Sequence, residues 1–112
     1  KVPSSYVGYF WRARVNSMLD PETLEGLAKP YYEKVVEIGL SNTERYKREL
    51  IESYKYLGYY HYVVADAITT KNNGNPDSAK GEYEEAKEFF SKVLALDAKD
   101  EIALKALESI KL

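Results

Sequence analysis

"KGEYEEAKEFFSKVLALDAKD", residues 80–100, repeats in residue type and order an earlier stretch, "LAKPYYEKVVEIGL", residues 27–40. Ala28-Lys29 answers Ala86-Lys87, Tyr31-Tyr32 answers Phe89-Phe90, Lys34-Val35 answers Lys92-Val93, and Ile38 answers Leu96, each pair 58 positions apart. In the later copy Tyr83, Ala86, Phe90, Val93 and Leu94 form one apolar stripe, while Glu84, Glu85, Lys87, Glu88 and Lys92 fill the other face. That spacing is the mark of an amphipathic helix. A helix written twice in 112 residues predicts a repeat architecture, in which function resides on surfaces and not in a catalytic pocket.

Outward from these two helices the pattern stays helical, and no stretch alternates with period two. Between them, Tyr46, Leu50 and Tyr54 lie on one face, whereas Tyr56, Leu57, Tyr59, Tyr60, Tyr62, Val63 and Val64 surround the helix axis. A helix apolar on all sides is expected to be sandwiched between neighbours. Gly58 in its middle costs roughly 1 kcal/mol of helix propensity relative to Ala, which points to close approach by another helix. Turn signals fall at "GLSNTE" (39–44), "TKNNGNPDSAKG" (70–81) and "DAKDE" (97–101). Five helices are predicted, at about 4–18, 26–39, 44–69, 77–97 and 101–111. Pro30 is tolerated because it falls in the first turn of its helix.

Composition narrows the function classes. The hydrophobic fraction of 45% and charged fraction of 30% describe a globular chain able to bury a modest single-domain core. With 16 basic and 18 acidic residues, a net charge of −2 offers no pull on a polyanion, so nucleic acid is not expected as a partner. Zero cysteines remove disulfides, thiolate metal sites and cysteine nucleophiles. The longest apolar run, residues 56–68, includes His61 and Asp66 and is too short for a membrane span. No signal peptide is visible, and an opening on Lys1 is expected of a mature or excised segment. Compartment stays undetermined.

Residues 54–98 carry a family resemblance. Tyr54, Leu57, Gly58 and His61, followed by Gly81, Tyr83, Ala86, Phe90, Val93, Leu94, Leu96 and Asp97, resemble a tetratricopeptide repeat, with Ala98 where proline is usual. Tyr9, Ala13, Ala28, Tyr32 and Val35 follow the same register less completely, with Arg12 and Arg14 flanking the crossing position. The family period is 34 residues, so copies 58 apart carry an excess of 24, expected mostly around the 70–80 loop and otherwise in an extended start to the third helix. The resemblance implies an all-α, right-handed stack of antiparallel helix hairpins, an α-solenoid. Residues 4–40 would form a divergent first repeat, 44–98 a second with insertions, and 101–112 a capping helix.

The resemblance also implies a non-catalytic module that binds a protein or peptide in a concave groove. Phe10, Arg14, Lys55, Tyr59 and Tyr62 would line that groove, while Tyr54 and Tyr60 face packed neighbours. The residues at the groove positions are not the lysines and asparagines with which some family members clamp a terminal carboxylate, so that role is not expected. A rival reading has the groove filled by further repeats of a parent chain or by a second copy, with Tyr59 and Tyr62 buried. His61, the sole histidine, has no carboxylate one turn away on its own helix and is expected to fill space, not to bind metal. "NNGNPD" lacks the ligand order of a calcium loop. No cofactor is expected, and the acidic clusters read as solvated helix faces.

Overall fold

The computed structural model describes residues 4–23 and 25–110. Its elements are α1 (Ser4–Leu19), α2 (Lys29–Gly39), α3 (Lys47–Lys71), a 3-10 turn (Pro76–Ala79), α4 (Lys80–Leu96) and α5 (Glu101–Ser109). Among the described residues there is no strand. Each helix packs on the next, α1 on α2, α2 on α3, α3 on α4 and α4 on α5. The result is a stack of antiparallel hairpins, elongated to 50 × 29 × 19 Å.

Two positions set the spacing of that stack. A Cβ at Gly58 would lie 2.8–3.0 Å from three ring carbons of Phe90, so only glycine lets α4 seat this ring against α3. Phe90 is 3% exposed, and Ala86, one turn earlier on α4, is wholly buried. In the first hairpin Ala13 takes the corresponding role and shares one buried cluster with Ala28, Tyr32, Tyr56 and Leu57. The second cluster runs from Tyr6, Val35 and Leu50 through Tyr54, Ala86, Phe90 and Val93 to Ala103 and Ile110. The core is thus a chain of inter-helix contacts and not one central mass, as stacked repeats require.

Helix boundaries differ from the sequence expectation where loop chemistry overrides periodicity. α2 begins at Lys29 and not at residue 26, because Gly26 sits at φ +67° in a turn. Asp20 builds that turn: its Oδ2 accepts backbone N–H bonds from Glu25 (3.1 Å), Gly26 (2.8 Å) and Leu27 (3.4 Å). α3 starts at Lys47, after a turn in which Asn42 Oδ1 accepts from the Arg45 N–H. It also runs on to Lys71, two residues past the expected end. What remains is a turn at 72–75 and the 3-10 turn, where Asn75 caps the Asp77 N–H ahead of Pro76. α4 accordingly begins at Lys80 and not at 77. α5 opens on Asp100, whose Oδ1 accepts from the Ala103 N–H at 2.9 Å, and its α-helical span ends at Ser109; the expected end at Lys111 lies outside the described residues.

Candidate interaction groove

One side of the stack is walled by α1, α3 and α5. Phe10 and Arg14 from α1, Lys55 from α3 and Ile102 from α5 surround a depression of about 590 Å³, together with Arg48, Glu49, Ile51, Glu52, Asp97 and Asp100. Tyr59 and Tyr62 line a second depression of about 220 Å³, with Phe90, Ile102, Lys105, Ala106 and Ser109. Ile102 lines both, so the five residues singled out from sequence lie along one discontinuous groove. The residues that sequence reasoning missed lie chiefly on the first half of α3 (Arg48, Glu49, Ile51 and Glu52) and on α5 and at its start. α5 read as a cap, and only its amphipathic spacing hinted that it would also form a wall.

The two cations expected to face a ligand are already engaged. Arg14 makes a two-pronged pair with Glu52, Nε to Oε2 at 3.1 Å and Nη2 to Oε1 at 2.8 Å, and its guanidinium lies 4.4 Å from the Phe10 ring centre. Glu52 also accepts from the Tyr32 hydroxyl at 2.9 Å, tying α1, α2 and α3 at one point. Burial, reinforced by the bond to Glu52, pushes the Tyr32 hydroxyl well above the usual tyrosine range. Lys55 Nζ bonds to Asp100 Oδ2 at 2.7 Å. Burial opposes ionisation of Asp100, but the Lys55 bond and the Ala103 and Ile102 amides outweigh it and hold its carboxyl below the ordinary value. The larger depression therefore carries three cations and four carboxylates, with Arg14 and Lys55 neutralised in place.

The aromatic residues divide as their neighbours dictate. Tyr54 is buried, its ring 6.2 Å from that of Phe89, and Tyr60 packs over Gly26 with Lys29 Nζ 5.4 Å from its ring. Tyr59 is 45% exposed, and Tyr62 is half-buried edge-on to Tyr83. The all-round apolar stretch is thus not fully sandwiched: Tyr59 is exposed, and Tyr60, Tyr62, Val63 and Val64 are half-buried. His61 stacks on Phe89 with 9° between planes, and its Nδ1 lies 2.8 Å from Glu82 Oε1. The carboxylate missing from its own helix comes from α4, and the imidazole fills the seam between them. Among the described residues no group of acidic or histidine side chains could hold a metal ion, and no helix is long and apolar enough to cross a membrane.

Fold and groove together define an all-α helical-repeat protein, a class that presents extended concave surfaces to other proteins. Over 94% of its length the chain is similar to the crystal structure of the C-terminal part of a TPR repeat-containing protein from Cytophaga hutchinsonii, with a TM-score of 0.72 and 37% sequence identity. The chain has a TPR-like, all-α helical-repeat fold, which supports a protein-interaction role in general. It spans 34% of that solved chain. No family model matches it, nor does any curated protein.

Proposed function

We propose that the chain is a non-catalytic interaction module that binds an apolar-faced peptide or helix of a partner protein along the α1–α3–α5 groove. The observation that carries this reading is the apolar line from half-buried Phe10 past exposed Ile102 to exposed Tyr59, flanked by ion pairs that need no ligand. Tyr59 and Ile102 are 45% and 60% exposed, leaving large contact area for a partner to cover. Tyrosine suits this role, combining large area with few rotamers to freeze and a polar tip. Because Arg14 and Lys55 are satisfied internally, the groove favours side-chain burial over capture of a free carboxylate.

The test is selection of helical and extended peptides from a displayed library on the intact chain. Selected peptides should be rich in apolar residues, and binding should fall at least tenfold with Ile102→Asp or Tyr59→Ala. Peptides that share a terminal acidic motif and bind independently of both positions would refute the reading. A solution mass twice that of the monomer, with Tyr59 protected, would favour a self-filled groove instead.

A further inference from the structure

The turn that closes α3 carries a covalent weak point. It reads Asn72-Asn73-Gly74-Asn75, and all four residues are exposed. The Gly74 N–H donates to the Thr69 carbonyl at 2.9 Å, and the Asn72 N–H reaches the same oxygen at 3.1 Å. Asn73 has φ +59°, in the left-handed region where helices commonly end on glycine and sometimes on asparagine. Its structural part is therefore to close the helix, and glycine would close it equally well.

Asparagine brings a reactivity that glycine at 73 would not. Its side-chain amide carbon, Cγ, can be attacked by the backbone nitrogen of the next residue, because the bond so formed closes a five-membered ring. A side chain on the next residue hinders that attack. Gly74 has none, and nothing lies within 4 Å of the place its Cβ would take. The other four asparagines are guarded. Asn16 lies inside α1 with its Nδ2 on the Arg12 carbonyl, and Asn72 Nδ2 bonds to the Ile68 carbonyl. Asn42 Oδ1 accepts from the Arg45 N–H and precedes β-branched Thr43. Asn75 Oδ1 accepts from the Asp77 N–H and precedes Pro76, whose nitrogen has no proton to lose. Among the described residues, Asn73 is the asparagine whose side chain makes no hydrogen bond.

We propose that Asn73–Gly74 is a site of spontaneous covalent modification, where asparagine converts through a cyclic imide to isoaspartate, and that the last turn of α3 is its gate. Hydroxide takes the proton of the Gly74 nitrogen, which then attacks Asn73 Cγ. As that N–C bond forms, the bond from Cγ to the side-chain nitrogen breaks, and ammonia leaves. Water adds to one of the two imide carbonyls and breaks its bond to the ring nitrogen. One opening gives aspartate, and the other gives isoaspartate with the main chain rerouted through Cγ. The gate is the bond to Thr69: while it holds, the Gly74 nitrogen keeps its proton, and attack waits for the turn to open. Isoaspartate adds a methylene to the backbone, so the closed turn does not re-form. This site is independent of the groove, and its failure would leave the groove reading intact.

The test incubates the full chain in mildly alkaline buffer, folded and in urea, and samples both over days. Trypsin should release residues 72–80, in which an isoaspartate-specific methyltransferase should label position 73. Hydroxylamine, which cleaves the cyclic imide, should split the chain into residues 1–73 and 74–112. Conversion should be measurable in the folded chain and at least about tenfold faster in urea. Asn73→Gly should abolish both label and cleavage while leaving the thermal midpoint unchanged. In the converted folded chain, separated by its added negative charge, the Gly74 amide should exchange its hydrogen faster than in the unconverted one. No isoaspartate at 73 in the folded chain once the urea sample has converted, or label that persists in Asn73→Gly, would overturn the proposal. Equal rates in the two states, or equal Gly74 exchange in the two chains, would overturn the gate.

Discussion

The ring of Phe90 occupies the space that a side chain at Gly58 would need, with three ring carbons within 3.0 Å of the missing Cβ. This contact fixes how closely α3 and α4 approach. The same relation, in looser form, joins Ala13 and Tyr32 in the preceding hairpin.

Gly58→Ala sets two effects against each other. Helix propensity would gain roughly 1 kcal/mol. Overpacking against a buried ring costs about 1–3 kcal/mol, and Phe90 has no solvent into which to retreat. The net expectation is a loss of about 1 kcal/mol in chemical denaturation. In a Phe90→Leu background, where the ring is gone, the same change should become neutral or stabilising. A double-mutant cycle measures the difference directly.

Asp100 makes stability fall in acid. Its folded pKa is depressed, so its contribution is present above the unfolded value of about 3.9 and is lost as pH falls through the folded one. Asp100→Asn keeps an acceptor for the Ala103 N–H but loses the charge that meets Lys55. The variant should be less stable at pH 7, and its stability should decline less steeply below about pH 4. Asp100→Ala, which also removes the cap, should cost about a further 1 kcal/mol.

Tyr32 gives the opposite sign. Its folded pKa is raised, so its contribution is whole below the unfolded value of about 10 and is lost as pH climbs beyond it. Tyr32→Phe should cost about 1 kcal/mol at neutral pH through the lost bond to Glu52. It should also flatten the alkaline limb of the stability curve, measured by urea titration between about pH 9 and pH 11.

Groove positions should separate binding from folding. Tyr59 and Ile102 are exposed, so Tyr59→Ala and Ile102→Asp should each change stability by no more than about 0.5 kcal/mol. Both should nonetheless weaken a selected peptide at least tenfold. Parallel denaturation and binding titrations check the pair of expectations.

The repeated helix made the hairpin stack legible, and Gly58 and Ala86 announced where backbones approach. Residues such as Leu50, Val35 and Val93 followed from periodicity because burial of an apolar stripe is a local rule. Less visible were the ion pairs. Arg14 meets Glu52 across 38 positions and Lys55 meets Asp100 across 45, and such partners are chosen by how helices stack, which no local pattern encodes. The end of the third helix was placed two residues early for a related reason. Polar Thr70 and Lys71 read as a loop, yet Asn72 Nδ2 bonds back to the Ile68 carbonyl and lets the helix run on to Lys71. α5 read correctly as a short amphipathic helix, but its part in the groove depends on where Asp100 anchors it.

The central claim is that the α1–α3–α5 face receives the partner. Backbone amide shifts of the isotopically labelled chain, followed while a selected peptide is added, test it most directly. The account predicts that the largest changes cluster at Phe10, Tyr59, Tyr62 and Ile102. Changes centred instead on the charged outer faces of α2 and α4, around Glu33, Lys34, Glu84 and Lys87, would contradict it.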